Sequence, residues 1–364
     1  MKRARYGGYR GRATATDLLR MLALVLFVVV LLVCGGLMLG QDYIVYTDNG
    51  LRLELPFFQR EDPKQDDLGE VEVIVEPEQS EQPEKPEKPD KPVPSQPEEP
   101  LRAVELTMES VMDGTALEQA KQAGANAIVL DMKNQWGRLG YHSELSAAKE
   151  AGSNLYGQEV NQKLKELGEE ITLIAQVSCF KDHQLGDNMR YAIETNPGRR
   201  WMDESGVRWS DPGKESVRAY LTGIVGELAA LGVDEILLVH WGYPTAQDGH
   251  LEYIKKSAGY DQSRVGEVID GFLTELNRAL EGTEAKLSLY CEAQVLSDAN
   301  DLSGRRVEQI NTLSGNIWTE DTARAGALLS AGGVSGWEKK LTYVGAAFDL
   351  QNQNSQAVLH TKEP

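Results

Sequence analysis

The sequence predicts an α/β protein, a (β/α)8 TIM-like barrel preceded by a single transmembrane helix and a disordered Pro/Glu-rich linker. Three observations predict it. Residues 21–40 carry no charge, residues 59–100 lack the apolar content of a core, and beyond residue 101 apolar strand-like runs alternate with segments of helical periodicity. The 364-residue chain holds 56 acidic and 37 basic residues, a net charge of −19. That balance excludes nucleic acid as a partner, because phosphate backbones are bound by basic surfaces. Cys34, Cys179 and Cys291 are too few and too scattered for a disulfide scaffold or a thiolate zinc site. No cofactor or metal is called for: the acidic loops lack any spaced calcium-ligand motif.

Residues 1–20 read as a basic cytoplasmic segment, with Lys2, Arg3, Arg5, Arg10, Arg12 and Arg20 against Asp17, a net charge of +5. The run MLALVLFVVVLLVCGGLMLG at 21–40 then spans roughly 30 Å as a helix, enough to cross the hydrocarbon core. A cleavable signal peptide competes with this reading. The run is longer than the roughly 7 to 15 residues of a signal core and lacks a small-x-small cleavage site, so an uncleaved signal anchor is preferred. The basic flank stays inside, which puts the rest of the chain outside the cell membrane in a single-pass arrangement.

In segment 41–58, YIVY and LRLEL flank an Asp-Asn-Gly turn signal and predict a short β-hairpin. Residues 59–100 form the linker. Between Glu61 and Pro100 there are 14 acidic and 4 basic residues and 9 of the chain's 14 prolines. Missing amide donors and self-repulsion favour an extended polyproline-II stalk over a packed fold.

Residues 101–364 are the barrel domain. Strands are predicted at 103–108, 127–132, 171–178, 235–239, 286–292, 316–318 and 340–346, and helices at 115–122, 156–167, 214–231, 264–280, 303–313 and 321–330. Six clear strands and one short one imply an eight-stranded barrel whose seventh element is poorly written. A doubly wound sheet is the alternative, since periodicity does not reveal strand order.

Chemistry-bearing residues gather where strands end, which in either fold is the ligand-binding edge. Asp131 ends AIVLD, with Lys133 beside it, a pairing suited to orienting a sugar hydroxyl or tuning a carboxylate. Glu292 ends KLSLYCE next to aromatics and is the leading general acid, with Asp131 as the second carboxylate that glycoside hydrolysis requires. Trp201 and Trp209 bracket a turn in the long connection after the third strand. His240, Trp241 and Tyr243 follow the fourth, and all five are read, with Lys133, as substrate contacts. Asp211, before Pro212, is read as a helix cap. Cys291 alternates away from Glu292 and reads as a small buried hydrophobe.

NAIVLDMKNQWGRLGYHS, IAQVSCFKD and RRWMDESGVRWSDPGKESVRAYLTGIVGELAALGVDEILL together resemble a known family over residues 103–345. It is the putative glycoside hydrolase domain once catalogued as a domain of unknown function (DUF4015-like), distantly related to the amylase-type barrels. The resemblance implies a glycoside-hydrolase-like barrel acting on cell-wall or environmental polysaccharide. The catalytic motif departs from the family pattern. Val239 stands where the family has an aspartate, Gly242 where it has an arginine, Gln176 where arginine is common and Asn134 where a second acid is common. The two readings are a membrane-anchored extracytoplasmic hydrolase of a polysaccharide and a catalytically inactive glycan-binding or wall-associated scaffold.

Overall fold

The computed structural model describes residues 44–47, 50–53 and 99–359, apart from 197, 257–259, 262, 293–302 and 350. The chain divides into two compact units, Met1–Pro89 and Asp90–Pro364. In the first, β1 (Ile44–Thr47) and β2 (Gly50–Leu53) pair antiparallel with Thr47 opposite Gly50, the hairpin strands that the turn signal predicts. The expected membrane helix at 21–40 and residues 59–98 of the expected linker lie outside the described residues. Among the described residues no helix is long and apolar enough to cross a membrane.

The second unit is a closed barrel. Its strands are β3 (Arg102–Leu106), β4 (Ala127–Lys133), β5 (Thr172–Ser178), β6 (Glu235–Val239), β7 (Lys286–Tyr290), β8 (Ile317–Thr319), β9 (Leu341–Gly345) and β10 (Gln356–Val358). Their order runs β3 to β10 and closes β10 onto β3, and every neighbouring pair is parallel. Closure decides against the doubly wound alternative.

Seven of the eight barrel strands fall where the sequence predicts them. The element missing from the sequence pattern is the eighth, β10, while the run at 340–346 supplies the seventh, β9. β10 escapes notice because it has three residues and begins with a polar one. Gln356 is nevertheless buried, with its amide bonded to Asp349 and Asn352. Ala357 pairs with both Ala103 and Val344 to seal the barrel.

Strand residues alternate between two apolar layers. Ala103, Ala127, Val129, Ile174, Leu237, Trp318, Val344 and Ala357 pack together inside the barrel, whereas Ile128, Leu130, Leu173, Ala175, Ile236 and Leu238 join the layer beneath the helices. Both faces are buried, which is why these strands read as nearly continuous apolar runs. The indole of Trp318 donates to the buried Glu235 carboxylate at 2.8 Å, at the strand-start end of the barrel.

The outer layer contains α1 (Met108–Asp113), α2 (Ala116–Gln122), α3 (Ser146–Ala151), α4 (Glu159–Glu170), α5 (Glu215–Ala230), α6 (Val265–Ala279) and α7 (Thr322–Ala331). α5 buries Val217, Tyr220, Leu221, Ile224 and Leu228, the helical spacing visible in the sequence. Two corrections apply. The helix expected at 303–313 is a 3-10 turn over Val307–Thr312. Asp211 does not cap α5: its Oδ1 accepts from Gly213 N at 2.9 Å in a local turn, and Lys214 holds the N-cap position.

Candidate active site

The parallel sheet brings the C-terminal ends of all eight strands to one mouth, so residues far apart in sequence converge there. On β4, alternation places Asp131 on the same inner side as Ala127 and Val129. Its side chain is half-buried, and Oδ1 is shut off from solvent without a hydrogen-bond partner. Burial pushes its carboxyl up to about 7; the charge of Glu105 adds to this and Lys133 opposes it. Glu105 lies on the adjacent strand β3 with the inward parity of Ala103. Sequence reasoning missed Glu105, although the alternation in RAVEL carried the signal.

Lys133 follows a register shift on β4 and turns fully inward. Its ammonium donates to the Ser178 carbonyl at 2.6 Å and the Cys179 carbonyl at 3.3 Å, and lies 2.8 Å from Asp182. It is therefore a buried tie between β4 and the loop after β5, and the substrate contact expected of it is corrected.

The long connection after β5 is built around Asp203. That carboxylate accepts from Trp209 Nε1 at 3.0 Å, Ser205 Oγ at 2.7 Å and Val207 N at 2.8 Å, and lies 2.9 Å from Lys181 Nζ. Burial pushes its pKa up, but these bonds outweigh it and leave the carboxyl below the usual range. Trp201 packs edge-on to Trp209 and donates to the His250 carbonyl at 2.9 Å. Trp201, Trp209, Trp241 and Tyr243 are all 2% exposed or less. None of these four rings has a face open to a sugar, so the expected stacking contacts are core supports of the loops.

His240 does reach the mouth, half-buried, with a left-handed φ of 49°. Its Nδ1 lies 3.0 Å from Ser178 Oγ, which itself donates to the Lys181 carbonyl at 2.8 Å. With the serine proton already committed, the imidazole is positioned as a donor to Ser178 and not as a base activating it. Strain at a strand end is a mark of functional positions.

Glu292 follows β7 and is partly open to solvent. Its Oε2 lies 3.3 Å from Arg305 Nη1, and the Arg305 guanidinium stacks over Trp241 at 5.7 Å. Trp241 Nε1 in turn donates to the Tyr290 carbonyl at 2.9 Å. A Cβ at Gly242 would stand 2.7 Å from the Ser303 carbonyl oxygen and 2.8 Å from Cγ of Arg305. Arg305 thus fills the space beside Gly242. The thiols of Cys179 and Cys291 are fully buried, and burial pushes each up to about 12, which removes both as nucleophiles.

Three groups emerge: Asp131 with Glu105 and Lys133; His240 with Ser178 and Trp209; Glu292 with Arg305 and Trp241. The two carboxylates singled out from the sequence stand on β4 and beyond β7, with β5 and β6 between them.

A family profile described as "Putative glycosyl hydrolase domain" (DUF4015) matches residues 102–315, more than half of the chain. The chain belongs to this family. The match covers β3 through β7, and so both Asp131 and Glu292. Among solved structures, the chain is similar to a hypothetical protein from Ruminiclostridium thermocellum ATCC 27405, with 26% identity over 50% of this chain and 96% of that one and a TM-score of 0.43. It is also similar to the PgaB (BpsB) glycoside hydrolase domain from Bordetella bronchiseptica, at 13% identity over 71% and 94% and a TM-score of 0.45. The glycoside hydrolase domain of PelA from Pseudomonas aeruginosa matches at 12% identity over 67% and 83%, with a TM-score of 0.35. No curated protein matches the chain. Within the barrel, Val239 closes β6 at 8% exposure and Gln176 on β5 pairs with Asp131 on β4.

Proposed function

We propose that residues 101–364 form a polysaccharide-hydrolysing domain held outside the cell membrane by a signal anchor at 21–40, with 1–20 cytoplasmic and 59–100 as the spacer. The observation that carries the hydrolytic part is Asp131, a half-buried carboxyl at the barrel mouth whose Oδ1 is closed off from solvent without a hydrogen-bond partner, burial that pushes the carboxyl up to about 7. A carboxyl still protonated near neutral pH can give its proton to a glycosidic oxygen as the bond to the anomeric carbon breaks. Water then adds to that carbon, and the proton it releases restores Asp131. Glu292, salt-bridged to Arg305, is the second carboxylate and opposes the positive charge that develops on the sugar ring. The roles read from the sequence are thereby exchanged: the buried aspartate is the acid and the ion-paired glutamate its partner.

Val239 at the end of β6 favours a second reading, in which the barrel holds glycan without cleaving it, because valine neither attacks nor activates water. One experiment separates the two. The detergent-solubilised full chain, Asp131→Asn and Glu292→Gln are assayed for reducing-end release and for binding on a panel of wall and environmental polysaccharides. Release that disappears in both variants supports the hydrolase. Binding without release by the native chain moves the assignment to the glycan-binding scaffold. The anchor is tested separately, by protease protection of the barrel domain in intact cells and by its partition with membranes.

A further inference from the structure

A cavity of about 680 Å³ lies beside the mouth, between the loops that follow β4 and β5, and contains none of the residues assigned above to the chemistry. Its volume is in the range of about 300–1,000 Å³ that small-molecule sites occupy. At its edge stands Trp136, 48% exposed, whereas the other large aromatics of these loops are buried.

Trp136 is held by a tight turn. Asn134 Oδ1 accepts from both Trp136 N and Arg138 N at 3.0 Å, and Asn134 N donates to the Arg138 carbonyl at 3.0 Å. Gly137 completes the turn with φ of 78°, and a Cβ there would collide with Asp182 Oδ1. His183 N donates to the Gln135 carbonyl at 2.9 Å, which ties the two loops together, and its ring lies 5.3 Å from that of Trp136. An exposed indole on a rigid turn costs little entropy to dock against, and such a surface stacks well on the apolar face of a pyranose.

The charges in the cavity select among sugars. Arg138 and Arg208 are matched by Glu150 and Asp187, and Arg208 lies 3.0 Å from Asp187. The lining therefore presents planar hydrogen-bonding groups without excess charge of either sign. That pattern suits hydroxyl groups and not a run of uronates or phosphates.

We propose that this cavity is a saccharide subsite that holds an uncharged segment of the glycan chain, with Trp136 as its stacking platform. The assignment rests on the reading of the domain as glycan-acting, but not on hydrolysis. It makes the barrel's grip on a polymer extend beyond the mouth toward the β4 and β5 loops.

The test uses the detergent-solubilised full chain and isothermal titration with three hexamers: cellohexaose, chitohexaose and oligogalacturonate. The native chain is expected to bind one or both neutral hexamers and to discriminate against the galacturonate. Trp136→Ala should weaken that binding by at least about 10-fold, and Trp136→Phe should keep it within about 3-fold. Tyr253→Ala, which removes an exposed ring outside this cavity, should bind as the native chain does, which separates the subsite from a general effect of exposed aromatics. If Trp136→Ala binds like the native chain, if the galacturonate binds best, or if no hexamer binds, the subsite is overturned. Binding through Trp136 with no release of sugar from any polymer would sink the hydrolase reading and leave the subsite standing.

Discussion

Lys133 Nζ lies 2.8 Å from Asp182 Oδ2, and neither side chain exposes more than 1% of its surface. The pair joins the end of β4 to the loop after β5 from within. Removing one charge leaves the other buried without its partner, which costs about 3–5 kcal/mol. Lys133→Ala is expected to lose that much in urea unfolding. Tryptophan fluorescence isolates the barrel, since all six tryptophans lie between residues 136 and 337. A loss below about 1 kcal/mol would show that the pair does not hold these loops.

Asp131 makes stability depend on pH. Its folded-state value of about 7 stands above the ordinary 3.8, so between those values the folded chain retains a proton that the unfolded chain has lost. Stability therefore falls as pH rises through that window, by on the order of 4 kcal/mol for the full shift, and levels off above it. Asp131→Asn removes this dependence. The stability of the variant relative to the native chain should climb from about pH 4 to about pH 7, and a flat difference would contradict the burial argument. Hydrolysis, if Asp131 is the acid, declines above about pH 7 as the proton is lost.

Trp201 and Trp136 separate loop support from surface presentation. Trp201 is buried, bonded to the His250 carbonyl and packed on Trp209, so Trp201→Ala should cost about 3–5 kcal/mol. Trp136→Ala removes a half-exposed ring and should change stability by less than about 1 kcal/mol. Thermal melts of the two variants test the contrast. Equal losses would mean that the exposed ring carries packing.

Gly242 has no room for a side chain beside Ser303 and Arg305. Gly242→Ala is expected to destabilise the barrel by about 1–3 kcal/mol and to disturb the contact of Arg305 with Glu292. Gly242→Arg, which introduces the arginine that the sequence resemblance implies at this position, should be worse and should not raise activity. A stable, more active Gly242→Arg variant would show that Arg305 does not occupy that space.

The strand and helix positions were legible because a barrel strand buried on both faces and a helix buried on one leave different periodicities, as in ITLIAQVS against the segment from Val217 to Leu228. The short α1 and α3 were not, since six residues do not complete two helical turns, and β10 was not, since its three residues begin with Gln356 and include a single β-branched one. In the site, Asp131 and Glu292 were visible as acids ending apolar runs. The burial of Trp201, Trp209, Trp241 and Tyr243 was not, because an aromatic in a loop reads alike whether its ring points to solvent or to the core.

By itself the sequence determined the class of the protein: the alternation of the barrel domain, the acidic proline-rich segment before it, the apolar run near its start and the motifs that mark the family. Only the tertiary structure decided which acids share an environment. Closing the sheet set Glu105 against Asp131 and moved Lys133 from the expected pocket into a buried pair with Asp182. It also left Trp136, of the loop tryptophans, open to solvent. The physical reason is that a carboxyl's proton affinity and a ring's accessibility are set by neighbours brought together across the barrel, and strand spacing along the chain carries no record of those distances.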